Sequence, residues 1–290
     1  ATTIARLGLD PFLRDALQHR EIAWFHHEKL TRVQRLPSPA LGLSRHALDA
    51  RLADAFVAAG GELRSSTRAT DLAPAPGRVF ATGRRRGDST WIGLKIHARG
   101  LHLTRDLEVH LGEHAYVGLS AIENQEVNLC GLFRQRRLDA TGAALLPAYL
   151  RACKLPALAD RLGQSETDPA SFCAVAALSF SAPAGAAIAG TISLGDAHGL
   201  IPPFTGHGMA LAFQSAETAL DPLLHYARGQ IAWDATCQIV GRALQQRFRL
   251  RFTAARALHP FFLETRRQGW LSSLARARLL PLRPLYSLLH

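Results

Sequence analysis

The sequence predicts an α/β (α+β) fold, with an antiparallel sheet set inside an interleaved α/β portion and a helical region closing the chain. Three observations carry that expectation. Four short runs between residues 90 and 134, "TWIGLKIHARG", "RDLEVHLG", "HAYVGLSAIE" and "EVNLCGLFR", are rich in β-branched or aromatic residues and separated by turn residues. Helix-periodic stretches stand on both sides of them, the clearest at residues 44–59 and 208–229. Two further apolar runs, "SFCAVAALSF" and "GAAIAGTISLG", read as strands, and the second stops at a loop crowded with Gly and Pro.

In chain order, residues 4–20 read as an amphipathic helix. "LSRHALDARLADAFVAAGG" starts at Ser44 as N-cap, places Ala47, Leu48, Leu52, Ala55, Phe56 and Ala59 on one stripe, and stops at Gly60-Gly61. "LAPAPGRVFATGRRRGDS" reads as loop around an apolar core at 79–81. The third and fourth strand runs meet at Asn124-Gln125, which predicts an antiparallel hairpin. Residues 141–163 read as helical. The helix at 208–229 aligns Met209, Ala212, Phe213, Ala216, Ala219 and Leu220, and two or three more helices follow, broken at Pro260, Pro281 and Pro284. Residues 1–90 with 171–230 group as one portion, 91–170 as a sheet with helices, and 231–290 as a basic helical region.

Hydrophobic residues make up 48% and charged residues 20%, which excludes wholesale disorder. Cys130, Cys153, Cys173 and Cys237 form no C-x-x-C pair, so buried thiols in a reducing, cytoplasmic setting are expected rather than a disulfide framework or zinc. The start of the chain does not read as a signal peptide. No apolar run reaches the roughly 18 residues needed to span a bilayer. The net charge of +11 is concentrated at the end, where Val240–His290 holds ten arginines and one acid, Glu264. Three readings of that tail stay open: a solvated helical face in an arginine-biased chain, a peripheral contact with the inner face of an anionic membrane, and a nucleic-acid surface. The last is set aside, since no nucleic-acid motif accompanies it.

The densest chemistry lies in "GDAHGLIPPFTGHGMALA", residues 195–212. A carboxylate, Asp196, ends an apolar strand, Pro202-Pro203 stiffen the connection, and a helix starts with no bulky side chain at Gly206 and Gly208. Bare amides at a helix start attract anions, and the helix dipole adds to this. A carboxylate at a strand's end suits a sugar or polyol hydroxyl. A metal site on Asp196, His198 and His207 matches no standard ligand spacing. Gly206-His207-Gly208 fails as a dinucleotide fingerprint because Leu211 takes the third small position, and Gly185 to Gly190 fails as a phosphate loop because Thr191 stands where lysine is needed.

"GDAHGLIPPFTGHGMALAFQSAETA" resembles the second flavin-binding motif of the glutathione-reductase-type FAD oxidoreductases, in the branch of para-hydroxybenzoate hydroxylase, aromatic and polyketide monooxygenases, and geranylgeranyl reductases. "GLSRHALDARLADAFVAAGGELRSSTRAT" is similar to that family's R-x-x-L-D-x-x-L helix, "VFATGRRR" to its A-x-G turn, and residues 91–133 to the substrate sheet of geranylgeranyl-reductase-like members. The resemblance spans most of residues 40–225. It implies that FAD is the cofactor and that 1–90 with 171–230 are part of its domain. Cofactor contacts would fall on Arg45, Gly83, Gly195, Asp196, Pro203, Gly206, His207, Gly208 and Met209, with Asp196 on the ribityl chain and the 206–209 backbone facing the flavin and pyrophosphate. NAD(P)H is the implied electron donor. Catalytic residues stay unassigned; His97, His110, Tyr116, Asn128 and Arg134 are the sheet candidates. The implied function is reduction or dehydrogenation of a hydrophobic isoprenoid, lipid-like or polyketide substrate. Hydroxylation of an aromatic or polyketide substrate is the alternative, and a non-enzymatic ligand- or membrane-binding module is the third. The family's N-terminal β-α-β unit with G-x-G-x-x-G is not among these residues, and the stretch from Thr70 to Val79 is shorter than the family's usual. A fragment of a longer chain is the expected explanation, and loss of half the adenosine site the other.

Overall fold

A computed structural model of the chain describes residues 2–69, 73–84, 89–180 and 190–279. Seven strands form its main sheet: β1 (Leu17–His26), β2 (Lys29–Gly42), β4 (Trp91–Arg99), β5 (Leu107–Gly112), β6 (Ala115–Ala121), β7 (Glu126–Arg134) and β8 (Glu166–Ala176). Their spatial order is β2-β1-β5-β6-β7-β4-β8. Every pairing is antiparallel except β1 with β5. The four predicted runs are β4 to β7, and Asn124 and Gln125, both at positive φ, turn the β6–β7 hairpin.

One face of the sheet is dry. Leu94, Ile96, Val117, Leu129 and Phe133 pack on α3 (Leu145–Ala152) and α4 (Pro156–Gly163). These are the helical stretch expected at 141–163, interrupted where Lys154 takes a positive φ before Pro156 opens the next helix. The same side encloses Glu108, whose carboxylate meets His110 at 2.8 Å and Arg161 at 2.7 Å. Burial opposes its charge, but His110, the Thr104 amide and Arg161 outweigh it and hold the carboxyl at about 2.

The expected helix at 4–20 is corrected. Only α1 (Thr3–Arg6) and a single 3-10 turn at Asp10–Leu13 are helical, and Leu17 already opens β1. The β1–β2 hairpin carries Arg20, Lys29, Arg32 and Arg35, which mask its strand alternation, and it is held by pairing to β5, far along the chain. The sheet therefore takes in residues 17–42, which the sequence reading grouped with the first portion.

α2 (Arg45–Ala58) forms where expected, with Ser44 Oγ accepting from the Ala47 amide at 3.1 Å. Its apolar stripe is not buried: only Leu48 is, while Phe56 is 51% exposed. α5 (Gly208–Ala227) likewise turns a different face inward. It buries Leu211, Ser215, Glu217 and Ala219 and leaves Met209 and Leu220 exposed. The reason is α6 (Trp233–Leu258), which packs along α5 and sends Arg247 to Glu217 at 2.6 Å. A second cluster forms there from Ile192, Leu211, Val240, Leu244, Phe248 and Phe252. Of the expected strand at 185–195, Ile192–Ser193 (β9) is strand, and residues 181–189 lie outside the described residues. α7 (Pro260–Leu263) and α8 (Thr265–Arg276) follow the expected break at Pro260; Pro281 and Pro284 lie outside the described residues. No described helix is long and apolar enough to cross a membrane.

Candidate active site

β3 (Val79–Phe80) and β9 run parallel, Val79 opposite Ile192, so both deliver their C-terminal turns to one edge. Gly83 at φ 76° and Gly195 at φ 57° make these turns in the left-handed region that costs a side chain strain. The Gly195 amide donates to Ser215 Oγ at 2.8 Å, and a Cβ on Gly195 would sit 3.3 Å from the Ala212 Cβ, so the strand end is clamped onto α5. Asp196 follows, half-buried. Burial pushes its carboxyl up, against the pull of Arg45 and Arg84. Arg84 is fixed by donating to the Ala176 carbonyl at 3.0 Å, whereas Arg45 is exposed and paired with Asp49 at 3.0 Å. Three separate segments thus converge around Asp196.

Beyond it, Pro203–Thr205 makes one 3-10 turn, Gly206 reverses the chain at φ 67°, and α5 begins at Gly208. His207, at the N-cap, makes no side-chain cap bond. A Cβ at Gly206 or Gly208 would meet no atom within 4 Å. The helix therefore presents first-turn amides and the positive end of its dipole to open space.

The 203–207 loop is also the wall of a cavity of about 520 Å³, partly open to solvent, on the sheet face opposite α3 and α4. Ile22, Leu36, Val109, Tyr116, Leu132 and Val175 make its apolar lining. A second cavity of about 320 Å³ shares Ile22, Leu36 and Phe204 with it and runs between the hairpin and α8. Phe204 is pinned at the junction. Its amide donates to Tyr116 Oη at 3.1 Å, and its ring stacks on Phe262 with centroids 4.1 Å apart. Burial holds the Tyr116 phenol well above its ordinary range and pushes His259, beside it, down to about 4, so both are neutral near pH 7.

The structure therefore places Gly83, Gly195 and Asp196 at the edge of the two-stranded sheet, with Arg45 on α2 near enough for its charge to act on Asp196. Pro203, Gly206 and His207 lie on the cavity wall, and Gly208 with Met209 opens α5. His198 turns away toward Phe248 and Phe252. Among the described residues no three His, Cys, Asp or Glu side chains gather as metal ligands would. Of the sheet candidates, Tyr116 reaches the cavity. His110 lies under the opposite face with Glu108, His97 sits 3.5 Å from Glu126, Asn128 stands next to the cavity residue Cys130, and Arg134 is exposed. Sequence reasoning missed the hairpin residues Ile22 and Leu36, Phe204, Lys95 and Arg84. Only Arg84 had a signal, the "ATGRRR" turn, and nothing in that run says which arginine faces inward.

Left-handed Gly83 and Gly206 with free space beside them, a bare helix start, and a half-buried carboxylate near two arginines fit the flavin and ribityl half of FAD. Among the described residues no glycine-rich strand–helix unit stands ready for the adenosine half. The fold as a whole is that of the FAD-dependent monooxygenases. HpxO of Klebsiella pneumoniae, solved with FAD and uric acid, superposes with a TM-score of 0.75 at 15% identity, covering 99% of this chain and 84% of that one. PqsL, a probable FAD-dependent monooxygenase from Pseudomonas aeruginosa, gives 0.64 at 14% identity, covering 91% and 84%. The flavin-dependent brominase Bmp2 gives 0.67 at 15%, covering 99% and 80%. No curated protein matches the chain in sequence. The squalene epoxidase family matches residues 78–229, more than half of the chain, and the chain belongs to that family. It is an FAD-dependent oxidoreductase, and the geranylgeranyl reductase branch expected from the sequence is corrected accordingly.

Proposed function

We propose that the chain is an FAD-dependent monooxygenase that adds one oxygen atom to an apolar substrate held in the 520 Å³ cavity. One observation carries this reading: the 203–207 loop borders both the bare start of α5 and the apolar cavity, so cofactor and substrate would meet across it. The monooxygenase neighbours support oxygen insertion over the reduction that the sequence favoured. In this reading Asp196 accepts from the ribityl hydroxyls, the 206–209 amides face the flavin's pyrimidine edge and the pyrophosphate, Gly83 permits close approach, and Arg45 and Arg84 supply positive charge nearby. Bound FAD supplies electron transfer from NAD(P)H and the activation of dioxygen. The chain's own part is to hold the substrate, keep water out with an apolar lining, and fix the loop through Tyr116. Of the ten tail arginines, Arg247 pairs with Glu217 and Arg251 donates to Gln214 within the fold, so these two serve the fold itself.

The test is to load the purified protein with FAD, add NAD(P)H and apolar alkenes or aromatics, and look by mass spectrometry for a product carrying one atom from labelled dioxygen. Products gaining two hydrogens and no oxygen would restore the reductase reading. Failure to retain flavin would remove both.

A further inference from the structure

Within the apolar cavity one group is out of character. Lys95 lines it and supplies the only fixed positive charge among the described lining residues. β4 alternates Ile92, Leu94 and Ile96 into the dry core, so Gly93 and Lys95 face the cavity. Lys95 stands directly opposite Cys130 on β7 and Cys173 on β8, and all three line the cavity. No ion pair or hydrogen bond engages the ammonium among the described residues. Glu108, the other charged residue bordering the cavity, turns its carboxylate to the opposite sheet face, where His110, Arg161 and the Thr104 amide bind it. Among the described residues, the cavity thus holds a half-buried cation without a counter-ion between largely apolar walls. Such a charge loses hydration as a ligand fills the space and regains it only from an anion on that ligand.

We propose that Lys95 anchors an acidic group, so that the substrate class is an apolar carboxylate (or similar organic anion) with its charged end on β4 and its apolar body reaching the 203–207 loop. This rests on the cavity being the substrate site.

The probes are decanoate and decanol, titrated calorimetrically into the full chain near neutral pH. Decanoate is expected to bind about tenfold tighter than decanol. Lys95→Met is expected to bring that ratio close to one by weakening decanoate alone, with Lys95→Gln as a second charge-free variant and Lys95→Arg keeping the preference. Gly118→Leu is expected to weaken both probes, because Gly118 borders open cavity with its nearest neighbour, the Cys130 carbonyl, 3.9 Å from a Cβ. A preference unchanged in Lys95→Met and Lys95→Gln overturns the role of Lys95 and leaves the cavity as the site. Binding of both probes undiminished by Gly118→Leu, or no binding of either, overturns the cavity reading and the anchor with it.

Discussion

Replacing Tyr116 by Phe removes one oxygen atom from the point where the sheet holds the 203–207 loop. The Phe204 amide loses its acceptor at 3.1 Å, and His259 Nε2 loses a longer contact at 3.4 Å. The ring contacts to Phe204, His259 and Phe262, at centroid distances of 6.5, 6.0 and 6.2 Å, are kept, so the packing term stays nearly constant. Tyr116 is 5% exposed, which leaves little water to replace the phenol. An orphaned buried donor costs about 1–3 kcal/mol. For a chain of this size that is a fall in Tm of roughly 2–12 °C, at about 2–4 °C per kcal/mol. The assay is thermal unfolding together with hydrogen exchange at the Phe204 amide, which is expected to accelerate. Flavin retention is expected to weaken too, because the same loop leads into α5. An unchanged Tm with unchanged exchange at Phe204 would refute the argument. A lower Tm with unchanged exchange would place the loss somewhere other than this hydrogen bond.

Four further outcomes follow from the same geometry. Asp196 has a carboxyl raised by burial, so its stabilising contribution is full below the ordinary 3.8 and is lost as pH rises through the folded value. Asp196→Asn is therefore expected to hold or raise Tm at pH 7 while lowering FAD affinity; a drop in both would show the carboxylate to be structural. His259, lowered from 6.5 to about 4, contributes stability above pH 6.5 that is lost as pH falls toward 4, on the order of 3 kcal/mol, and His259→Phe is expected to flatten that stretch of a urea-unfolding series. Glu108→Gln leaves Arg161 and His110 without their buried anion and is expected to cost about 3–5 kcal/mol, measured by chemical denaturation. Gly206→Ala, at φ 67°, is expected to cost roughly 1–2 kcal/mol in stability and to lower flavin uptake beyond what that loss explains, because the new Cβ would enter the open space before α5.

Much of this was legible in the residues. Short runs rich in β-branched and aromatic residues between turn residues mark β4 to β7, and Asn124-Gln125 marks the β6–β7 turn, because strand and turn preferences act over a few residues. Ser44 and Gly60 delimit α2 for the same reason. The stretch from Gly195 to Met209 stands out for the same local reason, since its left-handed turns at Gly195 and Gly206 and its bare helix start at Gly208 all favour glycine. Local order misled where a distant partner decides. The charged hairpin at 17–42 is a pair of strands because β5 lies alongside it. The buried face of α5 was set by α6, whose Arg247 makes it favourable to bury Glu217. Both faces of the central strands are apolar enough to be core, and α3 with α4 cover only one of them, leaving the other as a cavity. By itself, then, the sequence determined most of the local elements and the glycine-rich loop at 195–209. Only the tertiary structure decided which sheet face stays open, that Tyr116 holds Phe204 there, and that Lys95 stands within it, because each depends on contacts between segments far apart in the chain.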